Sequence, residues 1–452
     1  MTIKKIVHLV LLALVPVLVP TISSAQIKVL GKSIILPEPA EGSVYSDGVE
    51  LAQNTRSGET LIVWYPTGEE GIVGRIVTGN AVPKPFTIFS KPQKPIDVFN
   101  GEVDLQATYN PVTNEYLVVH SEGHEDSTGQ FGKIIAMRLD AQGRRKGNPI
   151  DLTSRFSELA FFDNKSRVLK FNPINGSYIT FSHRHTKPAQ STTIGVYEQL
   201  TSKGKPARRP SLLDWITVDG MKWPADELRW PSDFTFLPSG KMLMYAMPSW
   251  YDPVRNLTEL DYVVANVDPI NQNQLKNLRP EDWTVVTRLT SPFLPPLGKE
   301  GAVLNLLSPD SPILYFTDNK NAMGQKISTD GKLLGHSFKA LNSPGSKKRL
   351  FVTGTAFSAA SKGVIGLLIA IDDPGWPNGP VSVWAQQLNS KGNPVGPSKK
   401  LYQTASNERI DFDKLFALPI AAGDGAARFV WYGLKGDGAG KTGMLKLDIS
   451  VP

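Results

Sequence analysis

The run Tyr109-Asn110-Pro111-Val112-Thr113-Asn114-Glu115-Tyr116-Leu117-Val118-Val119-His120 reads as a strand, a turn and a second, strongly apolar strand. Phe171-Asn172-Pro173-Ile174-Asn175-Gly176-Ser177-Tyr178-Ile179-Thr180-Phe181 repeats it nearly position for position. Phe236-Leu237-Pro238-Ser239-Gly240-Lys241-Met242-Leu243-Met244-Tyr245 does so again with a shorter turn. Looser copies occupy 307–316 and 357–371, and the strong strand returns alone at 61–65 and 427–432.

A second element follows the clearer copies. Met137-Arg138-Leu139-Asp140-Ala141-Gln142-Gly143 is matched by Gln199-Leu200-Thr201-Ser202-Lys203-Gly204, by 325–331 and by 387–392. In each, a strand ends in a polar turn closed by glycine, which accepts positive φ without steric cost.

Val63, Val118, Thr180, Met244, Tyr315, Leu368 and Val430 mark the middles of the strong strands, at successive spacings of 55, 62, 64, 71, 53 and 62 residues. Each unit offers four strand-like runs. Repetition at this period predicts an all-β chain, a seven-bladed β-propeller with four-stranded blades. A pair of sandwiches would not bring the same two motifs back in the same order. The last unit stops after its third strand at 444–448, while 27–36 resembles the end of a unit without its beginning. An N-terminal strand that completes the last blade would close the ring and leave no open edge. The expected organisation is one domain over 26–452, with an insertion in the fourth blade around 250–285.

The composition agrees. The 452 residues are 40% hydrophobic and 20% charged, with 39 Gly and 35 Pro, which suits short strands joined by turns. Cysteine is absent, which excludes disulfides, thiolate metal sites and a cysteine nucleophile. Residues 1–25 read as a signal peptide: Lys4 and Lys5, an apolar stretch from Ile6 to Pro20, then Ser23-Ser24-Ala25 before the cut. This predicts a secreted or periplasmic protein, and no later stretch is apolar for long enough to be a membrane span. The formal charge of +7 becomes +5 without Lys4 and Lys5. Basic residues cluster only at 144–146, 205–209 and 347–349. With no continuous basic face, nucleic acid is not expected as a partner.

The aromatic-Asn-Pro turn, the apolar strand ending in an aromatic or His, and the strand-polar-Gly turn resemble the repeats of secreted bacterial β-propeller proteins. The resemblance covers nearly all of 27–452 and implies a secreted scaffold; it names no activity.

In a propeller, the loops after each second strand and the loops between blades share one face. This loop face should carry Trp64 and Tyr65, then His120, Glu122, His124, Glu125 and Asp126, then His183, Arg184 and His185. It continues with Trp230, Trp250, Tyr251 and Asp252, and with Asp318, Asp372, Trp431 and Tyr432. Trp64, Tyr65, Trp230, Trp250, Tyr251, Asp318, Asp372 and Trp431 are the candidate ligand-binding residues, since exposed aromatics stack on sugar faces and acids bind hydroxyls. Core packing between blades is the competing use of the same tryptophans.

Four of the six histidines fall in two adjacent units at one point of the repeat. His183 and His185 would project to one side of a strand, about 7 Å apart at Cα. With His120 or His124 from the neighbouring blade they could ligate a divalent metal such as zinc. The competing reading is four solvent-facing loop histidines that follow a shared repeat ancestry. A polysaccharide lyase needs a cation for the uronate carboxylate, a base and an acid; Arg184, His183 or His185, and His120 or Tyr197 have that chemistry. Ser182-His183-Arg184-His185 is similar to a stretch of ulvan-lyase-type propellers, a resemblance that implies such roles. Paired acids for a glycoside hydrolase could come from Asp104, Asp226, Asp318 and Asp372, although any propeller mouth is ringed with acids. No Asp box, phosphate-binding loop or G-x-S-x-G is present. The sequence thus leads to a secreted binding or scaffold module for a glycan or protein ligand, with a lyase-like enzyme as the alternative.

Overall fold

A computed structural model describes residues 26–36, 49–66, 71–90, 105–126, 129–152, 161–186, 193–208, 211–213, 233–247, 249–252, 257–271, 274–275, 278, 282–291, 302–308, 311–318, 321–342, 350–360, 363–372, 380–405, 408–423, 426–436 and 442–452. The proposed signal peptide and Trp230 lie outside these residues.

After the short strands β1 (Lys28–Val29) and β2 (Ile34–Leu36), the chain builds seven antiparallel sheets in sequence order. Blade one is β3 (Val49–Gln53), β4 (Thr60–Trp64), β5 (Gly71–Val77) and β6 (Phe86–Ser90). Blade two is β7 (Leu105–Asn110), β8 (Glu115–Asp126), β9 (Gly129–Asp140) and β10 (Ile150–Asp151). Blade three is β11 (Phe161–Asn172), β12 (Ser177–Thr186), β13 (Thr193–Leu200) and β14 (Ser211–Leu213). Blade four is β15 (Asp233–Phe236), β16 (Met242–Ala246) continued by β17 (Ser249–Asp252), β18 (Leu257–Val267) and β19 (Thr284–Ser291). Blade five is β20 (Ala302–Ser308), β21 (Ser311–Thr317), β22 (Ala322–Ile327) and β23 (Leu333–Lys339). Blade six is β24 (Leu350–Ala360), β25 (Gly363–Asp372), β26 (Ser382–Leu388) and β27 (Pro394–Gln403). Blade seven is β28 (Arg409–Gly423), β29 (Ala426–Gly436) and β30 (Thr442–Val451), completed by β1 and β2. First strands of neighbouring blades pack on one another, so they are the innermost (β3 on β7, β7 on β11, β15 on β20, β20 on β24, β24 on β28, β28 on β3). This is the seven-bladed β-propeller that the repeats predict. No described helix is long and apolar enough to cross a membrane.

Closure follows the N-terminal route. Lys28 and Val29 pair with Ser450 and Ile449, and Ile34, Ile35 and Leu36 pair with Lys446, Leu445 and Met444. Ile27 and Leu36 are buried, each contributing about 1.5–3 kcal/mol of apolar burial.

The insertion in blade four is smaller than the expected 250–285. Residues 249–252 pair with 257–260 as a continuation of the second strand, and 263–267 pair with β16 as the third. β16 ends at Ala246 and β17 begins at Ser249. Among the described residues, the long connection of this blade runs from Val267 to Thr284.

The recurring turns have a chemical reason. The Asn110 side chain accepts from the N–H groups of Val112 (2.8 Å) and Thr113 (3.2 Å), and Asn172 accepts from Ile174 (2.9 Å). Asn54 holds the equivalent turn of blade one through Arg56 and Ser57. Asparagine thus reverses the chain between first and second strands by replacing a backbone acceptor.

The turn between third and fourth strands is closed by Gly143, Gly204, Gly331 and Gly392, all at positive φ. Each turn docks on the preceding blade. A Cβ on Gly143 would lie 2.2 Å from Phe86 Cζ of blade one, and one on Gly204 would lie 2.9 Å from Leu117 Cδ1 of blade two. Glycine is needed here for the close approach as well as for φ. The contact recurs around the ring: Lys446 donates to Gly79 O (2.5 Å), Tyr197 to Pro269 O (2.6 Å), Asn266 to Thr329 O, and Tyr315 to Gly392 O (2.9 Å). Where blade seven would present such a turn it presents Ile27 and Pro452 instead. Gln387 of blade six reaches Pro452 O (3.4 Å), and Lys399 reaches Ile27 O (2.8 Å).

Candidate functional site

The loop face is uneven, because the second and third strands run different distances toward it. In blade one they part after Trp64↔Val73, and in blade five after Thr317↔Ala322. In blade two the hairpin continues past His120↔Ile135 without a break to Asp126↔Gly129. In blade three β12 and β13 stay paired to His185↔Thr193, and in blade four the hairpin reaches Asp252↔Leu257. Blades two, three and four therefore raise hairpins on one arc of the ring, and in blade seven β29 and β30 stay paired to Gly436↔Thr442. The backbone of the first three carries Glu122, His124, Glu125 and Asp126, then His183, Arg184 and His185, then Trp250 and Tyr251. The side chains of these nine residues lie outside the described set. Backbone pairing puts His183 opposite Lys165 and Gly195, and His185 opposite Asp163 and Thr193.

Several candidates sit elsewhere than on this face. His120 is 1% exposed, its ring centroid 4.1 Å from that of Phe89 at a tilt of 57°. It is part of the packing between blades one and two. Tyr197 is fully buried, and its hydroxyl donates to Pro269 O at 2.6 Å. Burial raises its pKa well above the usual phenol value, with Arg208 acting weakly in the other direction. A proton held so tightly and already engaged is not poised for transfer to a leaving group.

Trp64 and Trp431, candidates for stacking on a ligand, instead fill the core. Trp64 packs with Val49, Leu51, Val430 and Tyr432 at the junction of blades one and seven, with the Arg75 guanidinium 5.7 Å from its ring. Trp431 packs with Phe429, Leu447 and Ile369 between blades six and seven. The motif places each at the end of a strong strand, but the side chain faces the neighbouring blade. Tyr65, one residue on, is half-buried beside the core of blades one and two.

Asp318 and Asp372 do lie at the loop-face ends of their strands. Asp318 is half-buried and folds its own turn, accepting from Asn321 N at 2.6 Å and from the Asn321 amide at 3.1 and 3.3 Å. Asp372 is 7% exposed at the end of β25. Among the described residues, no group of three His, Asp or Glu could hold a metal ion.

One described cluster on this face was not apparent from the sequence. Lys435, at the end of β29, pairs with Glu408 at 2.6 Å and lies 6.0 Å from the ring of Tyr402. Glu408 also accepts from Ala405 N at 3.0 Å. The hydrogen bond from Lys435 holds the Glu408 carboxyl below its usual range. Burial alone would lower the Lys435 pKa, but the bonds to Glu408 and Tyr402 outweigh it and raise it. These residues meet because Arg409 pairs with Gly436 in the ladder, a relationship no short motif encodes.

No protein-family model matches the chain. No curated protein matches it. Among solved structures it is similar to a protein of unknown function from Dyadobacter fermentans, at 10% identity and a TM-score of 0.44, over 94% of this chain and 99% of that one. It is also similar to the GH93 α-L-arabinofuranosidase of Fusarium graminearum, at 11% identity and 0.41, over 92% and 98%. A third is the subtype N10 neuraminidase-like protein of A/little yellow-shouldered bat/Guatemala/060/2010, at 10% identity and 0.40, over 94% and 98%. At these scores none speaks to activity, and the strand order of the chain itself carries the fold.

Proposed function

We propose that this protein is an exported, non-catalytic binding or scaffold propeller that takes a glycan or protein ligand on its loop face. The observation that carries the reading is the burial of two groups a lyase would use: His120 is packed on Phe89, and the Tyr197 hydroxyl is committed to Pro269. In support, the raised hairpins of blades two to four form a wall on one arc of that face, rich in His, acidic and aromatic residues by sequence. A rigid scaffold with projecting loops suits recognition. Export rests on the signal-like residues 1–25, and recovery of mature protein beginning at Gln26 tests it.

The binding reading is tested with a panel of neutral and uronate polysaccharides, each assayed for binding and for ultraviolet-absorbing unsaturated product. Saturable binding without product supports it. Product formation overturns it in favour of the lyase reading, in which Arg184, His183 and His185 would hold and deprotonate a uronate. Zinc enters only through His124, His183 and His185. Elemental analysis of untagged protein beside a His183→Ala, His185→Ala double variant tests that ligand set.

A further inference from the structure

On the side of the ring opposite the loop face, the turns of blades two and three border an open cavity of about 530 Å³. Its wall includes Arg138, Lys146 and Ile150 from blade two, and Lys203, Lys205 and Pro206 from blade three. The two turns occupy equivalent places in their repeats: Leu139 bridges to Arg145, and Leu200 to Pro206. One lysine from each of two basic clusters, Lys146 and Lys205, distant in sequence, thereby faces one space together with Arg138 and Lys203. Gly204 seats the blade-three turn directly on Leu117 and Ile150 of blade two, so the relative position of the cations is set by the packing.

Glu115 organises this wall from below. Its side chain is 3% exposed and accepts from Arg138 Nε (2.9 Å) and Nη2 (2.6 Å) with one oxygen, and from Lys146 Nζ (2.5 Å) with the other. Lys203 and Lys205 are exposed and make no ion pair among the described residues. Four cations against one carboxylate leave the cavity with a net charge of 4 − 1 = +3. Like charges gathered on one wall repel, and a bound anion removes that repulsion.

We infer that this cavity binds the acidic groups of an anionic polysaccharide, a chain bearing carboxylates along its length. Lys203 and Lys205 supply point charges, and Arg138 and Lys146 present the hydrogen-bond donors that Glu115 leaves over. Pro149, Ile150 and Pro206 give a short apolar floor on which a sugar ring can lie. No aromatic ring lines the cavity, whereas a single-stranded nucleic acid site is built on stacking platforms. The inference concerns the face opposite the proposed ligand site and does not rest on it.

Equilibrium binding of polygalacturonate, neutral dextran and oligothymidylate to the mature protein tests this. The expected result is binding of polygalacturonate that weakens with added salt and no binding of dextran. A Lys203→Gln, Lys205→Gln double variant should bind about tenfold more weakly at an unchanged melting temperature. Absence of polygalacturonate binding, equal binding by the double variant, or tighter binding of oligothymidylate would each overturn the inference. Trimming the blade-two hairpin on the loop face should leave this binding intact, which separates its failure from failure of the loop-face reading.

Discussion

The hydroxyl of Tyr315 in blade five donates to the carbonyl oxygen of Gly392 in blade six, 2.9 Å away. This contact is one instance of a rule: the turn between third and fourth strands of each blade rests on the blade before it. Phe86 with Gly143 and Leu117 with Gly204 obey it through packing, and Tyr197 with Pro269 through a hydrogen bond. Ile27 and Pro452 take the turn's place at blade seven, against Lys399 and Gln387. Ring closure and blade docking are thus the same interaction.

Gly143→Ala should destabilise the protein more than Gly147→Ala. Both positions have positive φ, which costs a non-glycine residue about 1 kcal/mol. Only at Gly143 would the new methyl meet a side chain, the ring of Phe86; Gly147 has open space around it. Urea denaturation should give a loss of about 2 kcal/mol or more for the first and about 1 for the second. Equal losses would mean that the turn does not dock as described.

Tyr197→Phe should cost stability and nothing else. Loss of the bond to Pro269 is worth about 1 kcal/mol, and the ring still fills its site against Phe181. Thermal melts check the cost. Any ligand binding on the loop face should be unchanged, and a large functional loss in this variant would return Tyr197 to an active role.

Deletion of residues 26–36 should open the ring. It removes buried Ile27 and Leu36 and leaves β30 with an unpaired edge. Size-exclusion chromatography should then show association through that edge, and the melting temperature should fall. A monomeric variant with native stability would contradict closure by this strand.

Alkaline pH should unfold the protein cooperatively. Burial raises the pKa of Tyr116, Tyr197, Tyr245, Tyr262, Tyr315 and Tyr432, and pushes Tyr178 up to about 12 from an ordinary value of 10.0. Between those pH values the unfolded chain has lost phenolic protons that the folded one keeps. Stability is therefore full below about pH 10 and is lost as pH rises through the folded values. Each tenfold gain in a phenol's proton affinity on folding corresponds to about 1.4 kcal/mol of the stability so lost. Phenolate absorbance and the strand signal in circular dichroism should change together; ionisation of all tyrosines in a still-folded protein would contradict the burial.

The repeat motifs were legible because their chemistry is local. Asn110 and Asn172 satisfy N–H groups two and three residues on, and Gly204 closes its own turn on Thr201 O. The side of the strand that each aromatic takes was not legible at the strand ends. Trp64 and Trp431 look like loop-face residues by position, but successive side chains alternate and a shift of one residue exchanges core for surface. The Lys435–Glu408 pair and the cavity between the basic turns depend on ladder register and blade order, which join residues far apart in sequence.

The most direct test of the loop-face site removes the raised hairpin of blade two and keeps the core. Replacing residues 122–133 with Asn-Gly joins Ser121 to Ile134, which already pair, through a two-residue turn and leaves Ile134 in the core. Affinity of this variant for a panel ligand whose binding survives the Lys203→Gln, Lys205→Gln change is the measurement, with the melting temperature as control. Binding should be lost while the melting temperature is held. Undiminished binding of that ligand by the trimmed, folded variant would contradict a ligand site on this face.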